Sequence, residues 1–453
     1  MPVEKSPGAN VTGGTLNAQG LLTCRVLRTG HQSTLARIIR MVEQAQLSKA
    51  PIARMADQVS AVFVPVVLVI AALTGLSWLW AGAPLQDILI RTVAVLVIAC
   101  PCALGLATPI AILVGSGTGA RHGILFRHAP ALEALQQVKT LLLDKTGTLT
   151  EGDLKVVQIT PAEEQNSKEL LRWAASAEAG SEHPLGKAVV NEAKSQELSL
   201  ESVDAFQAQA GSGVQALIAG LQVLVGHSDF LRHSGVQLPE QVSFCENAEA
   251  IPLEVAVDGV WQGTIWLADR VRPEARAVLK HLQESGIRAV MVTGDRSSAV
   301  QEVAKTLEIS EVHSGVLPQD KPRIVQEHQQ QGEQVAMVGD GVNDAPALAQ
   351  AEVGIAMGSG TDVALETADV VLMKNDLRHV GAAIRLSKAT LANIRQNLFW
   401  AFAYNIVGIP IAAGVLIPFG GPGLHPMFAA AAMAFSSVSV VANALRLRRV
   451  RLG

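Results

Sequence analysis

Residues 144–150 read Asp144-Lys145-Thr146-Gly147-Thr148-Leu149-Thr150, directly after the apolar run Leu141-Leu142-Leu143. A short apolar run bounded by small and polar residues reads as a buried strand, here ending at a carboxylate. Two later stretches repeat the arrangement. Ala289-Val290-Met291-Val292 runs into Thr293-Gly294-Asp295, and Val335-Ala336-Met337-Val338 runs into Gly339-Asp340-Gly341-Val342-Asn343-Asp344. Three such strands suggest a parallel sheet, and in these sheets ligands bind beyond the carboxyl ends of the strands. Asp144, Asp295, Asp340 and Asp344 are therefore expected to converge at one edge. Converging carboxylates repel one another and need an offsetting cation. Mg²⁺ suits a few carboxylate oxygens together with substrate phosphates. Phosphoryl transfer follows as the chemistry: one Asp attacks while the metal and a Lys (Lys145 or Lys321) neutralise developing charge.

The three motifs, in this order, resemble the phosphorylation domain of P-type ATPases, and the resemblance extends over essentially the whole chain. It implies Asp144 as the nucleophile that becomes an aspartyl phosphate. It implies Lys321, Thr293 and Thr148 around the phosphoryl oxygens, with Lys145, Thr146, Gly294 and Asp295 completing the catalytic set. Mg²⁺ is expected at Asp144, Thr146, Asp340 and Asp344, with Asn343 supporting the metal and its loop. The resemblance also implies ATP as the phosphoryl donor.

The chain has 453 residues, enough for about three domains. It is 49% hydrophobic and only 17% charged, a balance that points to a membrane. A net charge of −4 and 4% aromatic residues give neither the basic excess nor the stacking platform of a nucleic-acid binder. Four cysteines, two of them in an apolar run, do not make a disulfide framework. Cys24 and Cys245 read as structural.

Residues 1–33 are polar and Gly-rich and resemble the back of the family's actuator domain. Residues 34–120 hold an amphipathic helix to about Asp57, with Arg37, Arg40, Lys49 and Arg54, then two uncharged stretches. Val59–Trp80 and 92–120 are each long enough to span, since about 20 apolar residues cross a bilayer. Trp78 and Trp80 sit at the end of the first as interfacial aromatics do. Residues 391–446 contain two more spans, with the turn at 418–423 between them, and 447–453 is a basic tail. Basic flanks mark the cytoplasmic side. Four spans then place both termini and the large loop in the cytoplasm, with the bacterial inner membrane as the expected location. The phosphorylation domain occupies 121–158 and 263–390, so 159–262 is an insertion. The fold class expected is four transmembrane helices, a haloacid-dehalogenase-like, Rossmann-type phosphorylation domain and an inserted α+β nucleotide-binding domain.

Within the insertion, Glu178, His183, Pro184, Gly211, Gly213, Gly226 and His227 resemble the nucleotide-binding residues of heavy-metal P-type ATPases. Glycines let backbone approach a nucleotide closely. His227 departs from the family, which usually places Asn there.

In the membrane, Cys100-Pro101-Cys102 lies mid-span. Residues two apart on a regular helix point about 200° away from each other. Pro101 breaks the helix, and broken helices at mid-membrane are where transporters bind ions. Two thiolates select soft ions such as Cu⁺ or Zn²⁺. Met433 lies three and four residues from Ser436 and Ser437, on one helix face, and the later spans contain no Asp, Glu or Lys. Cys100, Cys102, Tyr404, Asn405, Met433 and Ser436 then resemble the ion site of the Cu⁺-exporting subclass.

The whole implies ATP-driven Cu⁺ export, with a copper chaperone or a complementary N-terminal half as partners. The family's Thr-Gly-Glu loop and four further spans are not in this sequence, so slow dephosphorylation and no complete cycle are expected of the chain alone. Three other readings stay open: a Zn²⁺/Cd²⁺-type ATPase, a membrane-tethered haloacid-dehalogenase-type phosphohydrolase, and an inert copper-binding remnant. Thr146 stands where such hydrolases often carry a second Asp, which favours a long-lived phosphoenzyme and hence the pump.

Overall fold

The computed structural model describes residues 11, 23–26, 51–100, 102–163, 165–181, 183–209, 212–239, 245, 250–295, 299–358 and 362–452. Most of the actuator-like segment, most of the expected helix 34–57, Pro101 and Gly211 lie outside them. The strands are β1 (Ile124–Phe126), β2 (Thr140–Asp144), β3 (Thr150–Pro161), β4 (Val203–Gln209), β5 (Gly213–Ile218), β6 (Leu221–Gly226), β7 (Ile251–Val257), β8 (Val260–Val271), β9 (Arg288–Val292), β10 (Glu311–His313), β11 (Val335–Gly339), β12 (Val353–Ala356) and β13 (Val370–Leu372). They divide between two compact units: Met1–Lys139, Val325–Met337 and Ala347–Gly453 form one, and Thr140–Ile324 with Val338–Pro346 the other.

The second unit carries the three motif strands. Its strand order is β11-β2-β9-β10, with Val338–Gly339 as the contribution of β11. β2 and β9 are parallel, Asp144 lying opposite Val292, and β9 and β10 are parallel as well. A parallel sheet is covered on both faces, so its strands are apolar without alternation. Leu141, Leu142 and Leu143 are accordingly all fully buried, as is Val290. Each such side chain contributes roughly 1.5–3 kcal/mol of burial. The three sequence motifs therefore do sit at the carboxyl ends of neighbouring strands.

In the same unit, β3 to β8 form a six-stranded antiparallel sheet of order β3-β8-β7-β6-β5-β4. Positions 159 and 262, the expected limits of the insertion, fall inside β3 and β8, which pair with each other from Thr150 opposite Val271 to Pro161 opposite Gly263. Helices Ser167–Ala177 and Pro184–Ser195 pack on this sheet. Asn166 caps the first by accepting from Lys168 N at 2.9 Å, and the helix buries Leu170, Leu171, Ala174 and Ala175. Pro184 opens the second, where a missing N–H costs nothing.

In the first unit the strand order is β1-β13-β12-β11, with β1 antiparallel and β12 parallel to β13. Its long helices are α1 (Pro51–Trp80), α2 (Leu85–Ile98), α3 (Cys102–Arg121), α4 (Arg378–Ala413) and α5 (Pro426–Leu445). Among the described residues, three segments are long and apolar enough to cross a membrane: Pro51–Trp80, Leu85–Arg121 and Pro426–Arg449. α4 does not join them; Gln396, Asn397 and Asn405 interrupt its apolar half. The helix break expected at Pro101 is present, α2 ending at Ile98 and α3 starting at Cys102. At the far end of α4, Gly414 caps the helix at φ +83, a conformation a Cβ would strain. A Cβ there would also come within 3.0 Å of the Trp78 ring, whose Nε1–H donates to Ala413 O at 2.8 Å.

Leu142→Ala opens a cavity at the centre of the motif sheet and is expected to cost roughly 2–5 kcal/mol. Thermal unfolding of the full chain followed by tryptophan fluorescence measures it; a midpoint like the parent's contradicts this placement of the strand.

Candidate functional site

β2 delivers Asp144 to the sheet edge, where the chain turns through Lys145–Leu149. The turn requires Gly147 at φ +73, and a Cβ there would lie 1.8 Å from Asp340 Oδ2. Gly147 is thus what lets the β11 carboxylate close on the β2 loop. Asp144, Asp340 and Asp344 each offer an oxygen within 4.8 Å of the others. Lys321, at the start of helix Lys321–Gln330, places Nζ 2.7 Å from Asp144 Oδ1 and 2.6 Å from Asp344 Oδ1. Asp344 also caps its own turn, accepting from Gly341 N at 3.2 Å and Asp340 N at 3.3 Å.

Burial pushes the Asp144 carboxyl up to about 7, with the neighbouring Asp344 charge adding to it and Lys321 opposing both. Asp340 is raised to about 6, first by burial and then by Asp344. Lys321 is pulled down by burial but raised further by the two carboxylates, so it stays charged. Three crowded carboxylates against one ammonium leave the cluster short of positive charge. A hard divalent cation such as Mg²⁺ fits that donor set. Thr148 Oγ1 is fully buried and has no hydrogen-bond partner, which suits it to a phosphoryl oxygen.

The other expected residues gather around the cluster to different degrees. Thr293 follows β9 and is buried, while its Oγ1 accepts from Asp295 N at 3.1 Å. Lys145 Nζ lies 2.9 Å from Asp295 Oδ2. Thr146, Gly294 and Asn343 are exposed at the edge. Two residues outside the expected set hold the loop. Arg272 Nε donates to Thr148 O and Nη2 to Gly147 O, both at 2.9 Å. Asp269 accepts from Thr150 Oγ1 at 2.6 Å and Gly152 N at 2.9 Å. Both lie where β8 leaves the inserted sheet, and the charged run Asp269-Arg270-Val271-Arg272 is the one sequence signal for them.

In the inserted sheet, Gly213 and Gly226 face each other across β5 and β6, and a Cβ on either would meet the Phe230 ring within 2.8 Å. His227 is exposed at the N-terminus of helix Ser228–His233. Glu178 is buried with Oε2 unpartnered, and burial raises its carboxyl. His183 is exposed and caps the helix that Pro184 opens, its Nδ1 accepting from Leu185 N. The two glycines let β5 and β6 pack closely under Phe230; Gly211 belongs to the residues not described.

In the first unit a narrow space is lined by Cys100, Ala103, Leu104, Ala401, Phe402, Asn405 and Met433. Asn405 Oδ1 is buried without a partner. Ser436 is buried on the same helix as Met433, three residues on. The Cys102 side chain is not described. Tyr404 is not brought to this space. It is 46% exposed and its ring lies 6.2 Å from that of Trp400, because one residue from Asn405 is about 100° around the helix.

Arg272→Lys removes a two-pronged grip on the loop carbonyls. Hydrogen bonds to a charged group are worth about 1.5–3 kcal/mol, so amide exchange across 146–149 is expected to speed up by about tenfold or more. Unchanged exchange contradicts the clamp.

Residues 138–352 match the haloacid dehalogenase-like hydrolase family model, and residues 1–43 that of the P-type ATPase actuator domain. The chain is 49% identical to a probable copper-transporting ATPase, PacS, of Synechococcus elongatus, over 99% of this chain and 61% of that protein. It is 48% identical to a copper-exporting P-type ATPase of Legionella pneumophila, over 100% of this chain and 62% of that protein. It is 47% identical to a silver exporting P-type ATPase of Salmonella typhimurium, over 100% of this chain and 56% of that protein. The chain thus spans less than two thirds of the length of these relatives. The crystal structure of a zinc-transporting PIB-type ATPase in its E2.Pi state superposes with a TM-score of 0.74 at 37% identity, covering 94% of this chain and 69% of that one. The motif strands, the inserted sheet and these likenesses together show that the chain belongs to the heavy-metal P-type ATPases.

Proposed function

We propose that this chain carries the phosphorylation, nucleotide and ion-binding parts of an ATP-driven Cu⁺ exporter. The observation that carries the reading is the Asp144–Lys321–Asp344 cluster at the end of β2. A buried carboxylate beside a fixed ammonium and an open hydroxyl is built to receive a phosphoryl group. Asp144 attacks the γ-phosphorus of ATP; the P–O bond to Asp144 forms as the bond to the β-phosphate oxygen breaks, and ADP leaves. Lys321 neutralises the transferred oxygens, and Thr148 and Thr293 donate to them. Asp144, Asp340, Asp344 and Thr146 would hold Mg²⁺, which supplies positive charge to the phosphates when bound. Lys145, through Asp295, keeps the loop against the Thr293-Gly294-Asp295 turn, and Asn343 supports the turn carrying Asp340. Thr146 offers no carboxylate to activate water, so the acyl phosphate persists. Glu178, His183, Pro184, Gly211, Gly213, Gly226 and His227 form the nucleotide site.

α4 serves as the third of four membrane crossings in chain order, with the large loop and both termini in the cytoplasm. Cys100, Cys102, Asn405, Met433 and Ser436 take the ion. Cys100 is disulfide-bonded in this structure, and its reduction would release a thiolate. A thioether and thiolates favour Cu⁺, and the lining has no carboxylate. Zn²⁺ is the second reading, favoured by the likeness to the zinc-transporting structure. The names of the relatives and the Met433 lining support Cu⁺.

Asp144→Asn is expected to abolish label transfer from γ-phosphate-labelled ATP; an acid-stable phosphoenzyme in that variant overturns the nucleophile. Met433→Leu is expected to weaken Cu⁺ binding by about tenfold and leave Zn²⁺ binding unchanged, read by chelator competition. The opposite pattern favours Zn²⁺.

A further inference from the structure

A chain of amides joins α4 to α5 on the side of the tail arginines. Asn443 Nδ2 donates to Asn397 Oδ1 at 2.8 Å, Asn397 Nδ2 donates to Asn393 Oδ1 at 3.1 Å, and Asn393 Nδ2 donates to Asn443 O at 2.8 Å. The three residues close a ring across the helix pair. Arg446 Nη1 donates to Asn443 Oδ1 at 3.0 Å, using the remaining acceptor. Asn393 and Asn397 are 6% and 2% exposed. Among the described residues, every side-chain hydrogen bond between these two helices involves Asn443.

The stripe Asn393, Asn397, Ala401, Asn405 repeats at every fourth residue, so the ring and the cavity lie along one buried face of α4. On α5 the buried face runs Met433, Ser436, Val440, Ala444. Between the ring and Asn405 the helices meet through Ala401 and Val440 with Ala103 and Ala107. Small apolar contacts of this kind have no direction, and they tolerate sliding of one helix along the other. A slip of one residue shifts a side chain by about 1.5 Å along the axis and about 100° around it. Either would separate Asn405 from Met433. A closed ring of amides does have a direction, and away from water it has few alternative partners.

We propose that Asn393, Asn397 and Asn443 are positioning residues: the amide ring sets the register of α4 against α5 and so brings Asn405 and Met433 to one ion site. This rests on the reading of that cavity as the ion site. The ring residues lie about 12–18 Å along the helices from Asn405 and Met433, so none of them is a ligand.

The test is a double-mutant cycle on the full chain in nanodiscs, reading Cu⁺ affinity by competition with a colorimetric chelator under anaerobic conditions. Asn397→Ala and Asn443→Ala are each expected to weaken Cu⁺ binding by about tenfold, and the double variant by no more than about tenfold, because both remove one bond. Unchanged affinities, or losses that multiply to about a hundredfold, overturn the proposal. ATP binding by each variant confirms folding, and Asn→Ser variants replace any that fail. A second readout does not depend on the ion. With the native cysteines replaced by serine, Ala401→Cys and Val440→Cys are expected to cross-link readily. Adding Asn443→Ala is expected to slow this by about tenfold, and an unchanged rate overturns the proposal. If the parent chain takes no Cu⁺ while cross-linking still depends on Asn443, the ion reading fails and the register stands.

Discussion

One ammonium between two buried carboxylates is the constraint on which the second unit depends. Lys321 lies within 2.7 Å of both Asp144 and Asp344, and all three are less than 8% exposed. Taking such charges out of water costs more than one ion pair returns unless further partners satisfy them. The fold meets this by ending β2 and β11 side by side, so that the loop amides after β11 bind Asp344 and the β2 loop closes over Asp340 only because position 147 has no side chain. The remaining imbalance appears as the upward displacement of Asp144 and Asp340, with burial its first cause. Carboxyls raised in this way form a site that gains from a bound cation.

The long insertion is part of the same device. β8 carries the chain back from the inserted sheet and delivers Asp269 and Arg272 to the loop that follows β2. Arg272 takes up carbonyls of Gly147 and Thr148 that a tight turn would otherwise leave short of donors. β3 leaves from that same loop. The inserted sheet is therefore tied to the Asp144 loop at both of its ends. In the first unit a comparable economy holds on a smaller scale: Trp78 secures the end of α4 beyond Asn405, and the amide ring secures α4 to α5 on the other side of it.

Much of this is legible in the sequence, for a physical reason. Leu141–Leu143 and Val335–Val338 read as strands because both faces are covered, and the small residues after them mark the sheet edge where Asp144 and Asp340 meet. A break between Ile98 and Cys102 is what the Cys100-Pro101-Cys102 stretch leads one to expect. The limits of the insertion were harder to see. β3 carries exposed Asp153 and β8 exposed Arg270, so each strand reads as a linker in its polar part. Arg272 was invisible because its partners are backbone carbonyls more than a hundred residues away in sequence. Tyr404 looked like a ligand beside Asn405, but helical geometry turns adjacent side chains apart. The amide ring gave no signal, since asparagines on two helices declare themselves only once the helices are packed.

The most direct measurement of the account is chemical. An aspartyl phosphate is reduced by borohydride to homoserine, which marks the position of the acyl bond in the peptide. Treating the full chain with Mg²⁺ and ATP, reducing it, and sequencing the peptides by mass spectrometry is expected to place homoserine at position 144 and nowhere else. Homoserine at Asp340 or Asp344, or none at all under conditions where the chain binds ATP, contradicts the central claim that Asp144 is the phosphoryl acceptor.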